Sequence, residues 1–358
     1  MLSRRNLWVT LILLAGTLLA WHFLGHSLDW QNFHWSQVWR TTRQLRAAPL
    51  LLALGLTYFS YVLRTWRWQL LMSPTGDFRP ILRGTCIGFT GMAIMGRPGE
   101  LIRPYYIGRR QPGGISPQLG VWVMERTLDM GTVGLLFGLT LALSPSIAKL
   151  TRKNGYATAI HRAGLGLIVL LAVVLIGLAV LRKIGPRLVQ ARAGKPVGKL
   201  RSLLAKWVQE LDAGLIGFRS LSRLAWVVLL SLILWLAITL SLQWMVLAYP
   251  HMLPQFSFAD AILLMGFTSA GSLLQLPAVG GGMQIVTLLV LNRIFHAPAA
   301  VSASAALLIW LISFYAIAPI GLAMAGREGL SWGLGTSDAT EKPLSERIEK
   351  QSIEEVEL

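Results

Sequence analysis

The sequence predicts an all-α polytopic membrane protein: six spanning helices plus two re-entrant helical hairpins, arranged as an inverted repeat. Three observations predict it. The 358 residues are 54% hydrophobic and only 14% charged, with mean hydropathy +0.57, whereas soluble domains carry roughly 25% charged residues. Several apolar runs approach or exceed the ~20 residues that cross a bilayer as a helix. The basic residues behind the formal charge of +17 sit mainly in short loops between those runs, as the positive-inside bias requires. No zinc-finger spacing, RNP-like pattern or separate basic helix accompanies the charge. Anionic lipid headgroups, and no nucleic acid, are therefore its expected counterpart.

The elements follow in order. The opening MLSRRNLWVTLILLAGTLLAWHFLG has a basic start and an apolar run over 7–24, with no A-x-A-like cleavage site after it. It reads as a retained signal anchor with Arg4 and Arg5 in the cytoplasm. HWSQVWRTTRQL then reads as an amphipathic helix that places Trp35 and Trp39 at the membrane interface. Further spans are expected over 48–72, 117–143, 163–181, 225–248 and 300–325. Segments 81–108 and 259–296 are apolar but interrupted, by GRPG and by LPAVGGG. Pieces of ~14–18 residues around a broken centre suit re-entrant hairpins better than full spans.

Charge supports an orientation. With the N-terminus inside, 182–223 is cytoplasmic, and it holds ten basic residues against Glu210 and Asp212. Segment 25–47 fits less well, since it would lie outside while carrying Arg40, Arg43 and Arg46. The membrane domain then occupies 1–325, with halves of about 7–143 and 163–325. Each half orders a helix, a broken hairpin and a helix, inserted with opposite polarity, which is the pattern of inverted-repeat transporters. The acidic, aromatic-poor segment 326–358 reads as a disordered or loosely helical cytoplasmic tail. Both termini are thus expected in the cytoplasm of a bacterial cell, around a multi-pass inner-membrane protein.

Ionisable groups at membrane depth cost ~2.5–3.5 kcal/mol each on insertion scales, so they need partners or functions. The richest stretch is GRPGELIRPYYIGRR, from Gly96 to Arg110. The next is VMERTLDM, holding Glu125, Arg126 and Asp129. The i,i+4 spacing puts both carboxylates on one helix face, and Asp129 falls ~18 Å from Pro117, near the midplane of a ~30 Å core. Cations must face them, from among Arg97, Arg103, Arg126, Arg64 and Arg67. On one reading the arginines grip an anionic headgroup, while Glu100, Glu125 and Asp129 hold them or carry protons. On the other, these charges are an ion-pair network that fixes the hairpin. Arg64 and Arg67 could instead snorkel to the inner interface, and Arg109 and Arg110 would face lipid at the loop edge.

In the second hairpin Gly280, Gly281 and Gly282 precede a short helix near Met283. Such a run bares backbone N–H groups for an anion or allows close helix packing. Gln275 and Gln284 flank it and could bind a ligand or each other. Asp260 suits a helix start. Cys86 is the sole cysteine, which excludes an intramolecular disulfide and a Cys-based metal cluster; a buried small residue is its expected role. No HExxH, CxxC, GxSxG or P-loop pattern appears, so no catalytic residue, metal or cofactor is expected.

Taken together, G-R-x-G-E-L-x-R, the following E-R-x-x-D and LPAVGGGMQ make the chain resemble the flippase-like membrane region of lysylphosphatidylglycerol synthases, over roughly 7–325. Members of that family usually show P-G-G-x-G-x-x-E in the second hairpin; Gln284 stands where the acid is expected. The resemblance implies translocation of an anionic or modified phospholipid by a stand-alone membrane region, without the separate synthase domain. The substrate-binding set is then Arg97, Glu100, Arg103, Glu125, Arg126, Asp129, Gly280, Gly281, Gly282 and Gln284. The expected partners are a phospholipid or lipid-linked anion and membrane lipids, with a homo-oligomer or a lipid-synthesising enzyme as further candidates. Two other readings stay open: a membrane-embedded transferase acting on a lipid-linked substrate with Glu125 or Asp129 as base, and a non-catalytic membrane partner docking through 182–223.

Overall fold

The computed structural model describes residues 34–72, 76–111, 114–143, 161–162, 164–169, 221–250, 256–273, 275–276 and 280–328. The architecture is helical: α1 Trp35–Arg43, α2 Ala47–Leu71, α3 Phe78–Met95, α4 Ile102–Gly108, α5 Ile115–Leu143, α6 Leu221–Leu247, α7 Phe258–Gly271, α8 Gly282–Leu289, α9 Ala299–Trp310 and α10 Ala318–Arg327. Among the described residues, four stretches are long and apolar enough to cross a membrane, namely Ala47–Leu71, Ile115–Leu143, Ser222–Leu247 and Ala299–Arg327. The expected span 7–24 lies outside the described residues, as do most of 163–181 and nearly all of 182–223. What is described makes this a multi-pass membrane protein.

The fold is organised around α2 and α6, which pack antiparallel. At one end the Arg46 amide donates to the Ala248 carbonyl at 3.0 Å. At the other, Trp68 and Leu71 share a core with Val227. The chain therefore leaves α2 and α6 at opposite ends of the bundle. The first broken hairpin, α3 and α4, follows α2; the second, α7 and α8, follows α6. The next helices start back at the same ends: Trp68 Nε1 donates to Gln118 Oε1 of α5 at 2.9 Å, and the Tyr249 and Ser304 hydroxyls meet at 2.8 Å on α9. The halves also trade partners, since α3 packs on α10 while α7 packs on α5.

Each hairpin has its own core. Ile81, Ile87, Tyr106, Ile107 and Val121 close the first; Met245, Leu264, Met265, Leu291 and Ile309 close the second. The outward face of α2, with Leu51, Leu52, Phe59, Val62 and Trp66, is exposed and apolar, as a lipid-facing surface should be.

The first hairpin breaks at Gly96, after which Arg97–Leu101 form a 3-10 turn. Gly99 lies directly against the backbone of Gly91 and Met92, so a side chain there would separate the two limbs. The second hairpin breaks differently. Gln275–Leu276 pair antiparallel with Gly280–Gly281, a two-residue ladder that the helical reading of 259–296 omits. Gly281 has φ 119°, a region open essentially to glycine. Asp260 caps α7 as expected, closing a reciprocal box with Ser257.

The last span is not a uniform helix. Leu311–Tyr315 form a π segment before α10, and Pro319 stands in the first turn of α10, where its missing N–H is tolerated. Between the two, Tyr58 Oη donates to Ala316 O at 2.7 Å. The expected tail boundary also moves. α10 runs to Arg327, and the Glu328 carboxylate accepts from Arg83 at 3.0 Å and from Arg110. Arg110 is thus tied to the end of α10 and stacks on Tyr106 at 3.9 Å, where a free lipid-facing cation was expected. α1 forms with Trp35 and Trp39 exposed and Val38 buried against Ala300 and Ala303, as an amphipathic helix should.

Candidate functional site: an arginine cluster where the hairpins meet

The buried stripe of α5 runs through Gln118, Val121, Glu125, Asp129 and Thr132, steps of three and four that keep one helix face inward. The stripe of α2 carries Ser60, Arg64, Arg67, Trp68 and Leu71. The two stripes face each other, with the first hairpin on one side and α6 on the other. Glu125 is fully buried; its Oε1 accepts from Arg67 at 2.9 Å and its Oε2 from Arg103 at 2.8 Å. Asp129 Oδ1 lies 2.8 Å from Arg67 Nη1 and accepts from Trp235 Nε1 at 3.0 Å. Its Oδ2 lies 3.1 Å from Arg126 and 3.6 Å from Arg64. Every partner is a donor, which is what ionised carboxylates accept.

Arg64 and Arg67 do not snorkel. Both are buried, because the partners that repay their desolvation lie inward, on α5 and α6. Arg67 bridges both carboxylates and also donates to Ser231 at 3.1 Å. Arg103 is clamped between Glu125 and the Arg64 carbonyl, 3.1 Å away, and stacks on Trp68 at 4.0 Å.

Beside this network lies a cavity of about 160 Å³. The first half lines it with Ser60, Arg64, Arg97, Glu100 and Arg126; α6 and the second hairpin add Trp235, Ser269, Ser272 and Met283. Arg97 joins the hairpins: it pairs with Glu100 and donates to the Ser272 carbonyl at 2.7 Å. The side chains of Arg97 and Arg126 remain 35% and 28% exposed, so the cavity can be reached. Arg64 Nη1 is buried and makes no hydrogen bond, and the same holds for Arg126 Nε. Arg67 Nε, Arg103 Nε and Asp129 Oδ2 share that state although buried polar atoms are nearly always satisfied, but of these residues only Arg64 and Arg126 line the cavity.

The ten residues singled out from sequence therefore separate. Arg97, Glu100 and Arg126 line the cavity. Arg103, Glu125 and Asp129 stand behind it; Arg103 and Glu125 border a void of about 20 Å³, room for about one water. Gly281 and Gln284 serve their own turn, with the Gly281 amide donating to Gln284 Oε1 at 2.7 Å. Neither they nor Gly282 line the cavity. The second hairpin contributes Ser269, Ser272 and Met283 instead, and α6 contributes Trp235 and Ser241. A serine or tryptophan in an apolar run carries no distinguishing signal in sequence. Cys86 is buried, as expected.

Among curated proteins none matches the chain. The family model described as lysylphosphatidylglycerol synthase TM region matches residues 7–321, nearly the whole membrane portion and both hairpins. That level of description ties the chain to membranes and to lipids. The chain belongs to the lysylphosphatidylglycerol synthase TM region family.

Proposed function

We propose that the protein moves lipids with an anionic headgroup between the leaflets of a bacterial inner membrane. The observation that carries this reading is the cavity between two broken hairpins entering from opposite ends, lined by Arg64, Arg97 and Arg126. Discontinuous helices that meet near mid-membrane are where inverted-repeat transporters hold their substrates. Guanidinium groups suit phosphate through paired donors. The headgroup would occupy the cavity while the acyl tails stay in the bilayer, against the apolar outer faces. Arg103, Glu125 and Asp129 would hold the site's shape from behind. Both termini, and the basic segment 182–223, would lie in the cytoplasm.

The transferase alternative meets a physical objection. A general base must accept a proton, yet both Glu125 oxygens are held by guanidinium groups, and neither Glu125 nor Asp129 lines the larger cavity. The test is reconstitution of the purified protein into liposomes with a fluorescent anionic phospholipid. Flipping should exceed the protein-free rate and depend on Arg126. A rate equal to that of empty liposomes would overturn the proposal.

A further inference from the structure

Among the described residues, the charges around the cavity do not cancel. Arg64, Arg67, Arg97, Arg103 and Arg126 are joined by ion pairs to Glu100, Glu125 and Asp129. Five guanidinium groups against three carboxylates leave two positive charges uncompensated in this cluster. Three of the five arginines, Arg64, Arg97 and Arg126, line the same cavity. One of them, Arg64, is nine-tenths buried and carries an Nη1 without a hydrogen-bond acceptor.

Resting on the translocation reading above, we infer that the cavity selects a phosphomonoester dianion, the headgroup of a lipid phosphate, over the phosphodiester of ordinary phospholipids. A monoester carries close to two negative charges at neutral pH, with a second pKa near ~6, and matches the excess. A diester carries one and leaves one positive charge of the cluster unmatched. The oxygen count agrees: a monoester presents three terminal oxygens to three arginines, a diester only two. Size agrees as well. A cavity of about 160 Å³ compares with the ~150 Å³ that holds a benzene ring. A phosphate and the first carbons of its ester fit there. Phe89, Ile238, Met245 and Phe314 supply the apolar wall for those carbons.

A phosphate dianion could also come from solution, so the experiment separates the two sources. The full chain in detergent is titrated with short-chain phosphatidic acid, with phosphatidylglycerol of the same tails, and with inorganic phosphate, following tryptophan fluorescence. Phosphatidic acid should bind at least tenfold tighter than phosphatidylglycerol at pH 7.5. The advantage should shrink severalfold at pH 5, where the monoester holds one charge. Arg64→Gln and Arg126→Gln should each lower the preference, with unchanged helical circular dichroism. Equal binding of the two lipids, with flipping intact in liposomes, overturns this inference and leaves the translocation reading standing. Inorganic phosphate binding as tightly as phosphatidic acid overturns the lipid assignment. Absence of both lipid binding and flipping overturns both readings.

Discussion

The two halves of this molecule share an arrangement and differ in chemistry. Each places a long helix, a broken hairpin and a second long helix, and α2 and α6 lie antiparallel at the centre. In the first half the inward stripe of α5 carries Gln118, Glu125 and Asp129. In the second, the buried positions of α9 are Ala300, Ser302, Ala303, Ser304, Ala305, Ala306 and Ile309. There the polar contacts are hydroxyl to hydroxyl: Ser304 meets Thr42 at 2.7 Å and Tyr249 at 2.8 Å. The second half therefore demonstrates that this architecture can be held by alanine, serine and apolar packing. Buried ion pairs are often no more stabilising than apolar residues of similar volume. In the first half, Glu125 and Asp129 brace the arginines from behind, while Arg64, Arg97 and Arg126 face the cavity.

Four substitutions test whether the two halves differ in this way. Glu125→Ala leaves Arg67 and Arg103 without their shared acceptor. Removing one partner of a buried pair costs about 3–5 kcal/mol, so a large fall in detergent-melting temperature is expected, with loss of flipping. A mild effect would mean that the network is not the brace the geometry suggests. Arg126→Gln should act in the opposite sense, because it removes one of the uncompensated cations. Melting temperature should hold or rise, while lipid flipping falls about tenfold, equivalent to ~1.4 kcal/mol of barrier. Lower stability with normal flipping would make Arg126 structural. Ser304→Ala, in the second half, should cost only about 0.5–1.5 kcal/mol, the net worth of a typical hydrogen bond, and leave flipping unchanged. A loss as large as that of Glu125→Ala would erase the distinction between the halves. Glu328→Gln removes the tie from α10 to Arg83 and Arg110, both partly exposed. Exposed pairs are worth about 0–1 kcal/mol, so the melting temperature should hardly move.

Much of this was readable in the chain. Length and apolarity announced α2, α5, α6 and the last span, because a spanning helix must hide its backbone and shed charge along its whole length. GRPG and LPAVGGG marked the breaks, because proline and glycine interrupt the helical ladder. The i,i+4 spacing of Glu125 and Asp129 put them on one face. Other features could not be read. The ladder between Gln275–Leu276 and Gly280–Gly281 has too few residues to show a period. Arg64 and Arg67 sit near a helix end, where local reasoning favours an exit to the interface, and only the acceptors brought by α5 and α6 reverse that preference.

The sequence by itself determined that the chain lives in a membrane, where its helices break, and which residues are too charged to face lipid. Those are local properties, set by hydropathy, backbone freedom and desolvation. The packing of distant elements sets which arginine meets which carboxylate, turns Arg64 and Arg67 inward, and brings Ser269 and Ser272 of the second hairpin to the cavity. Pairing is a matter of distance between elements far apart in the chain, and no single segment carries that information.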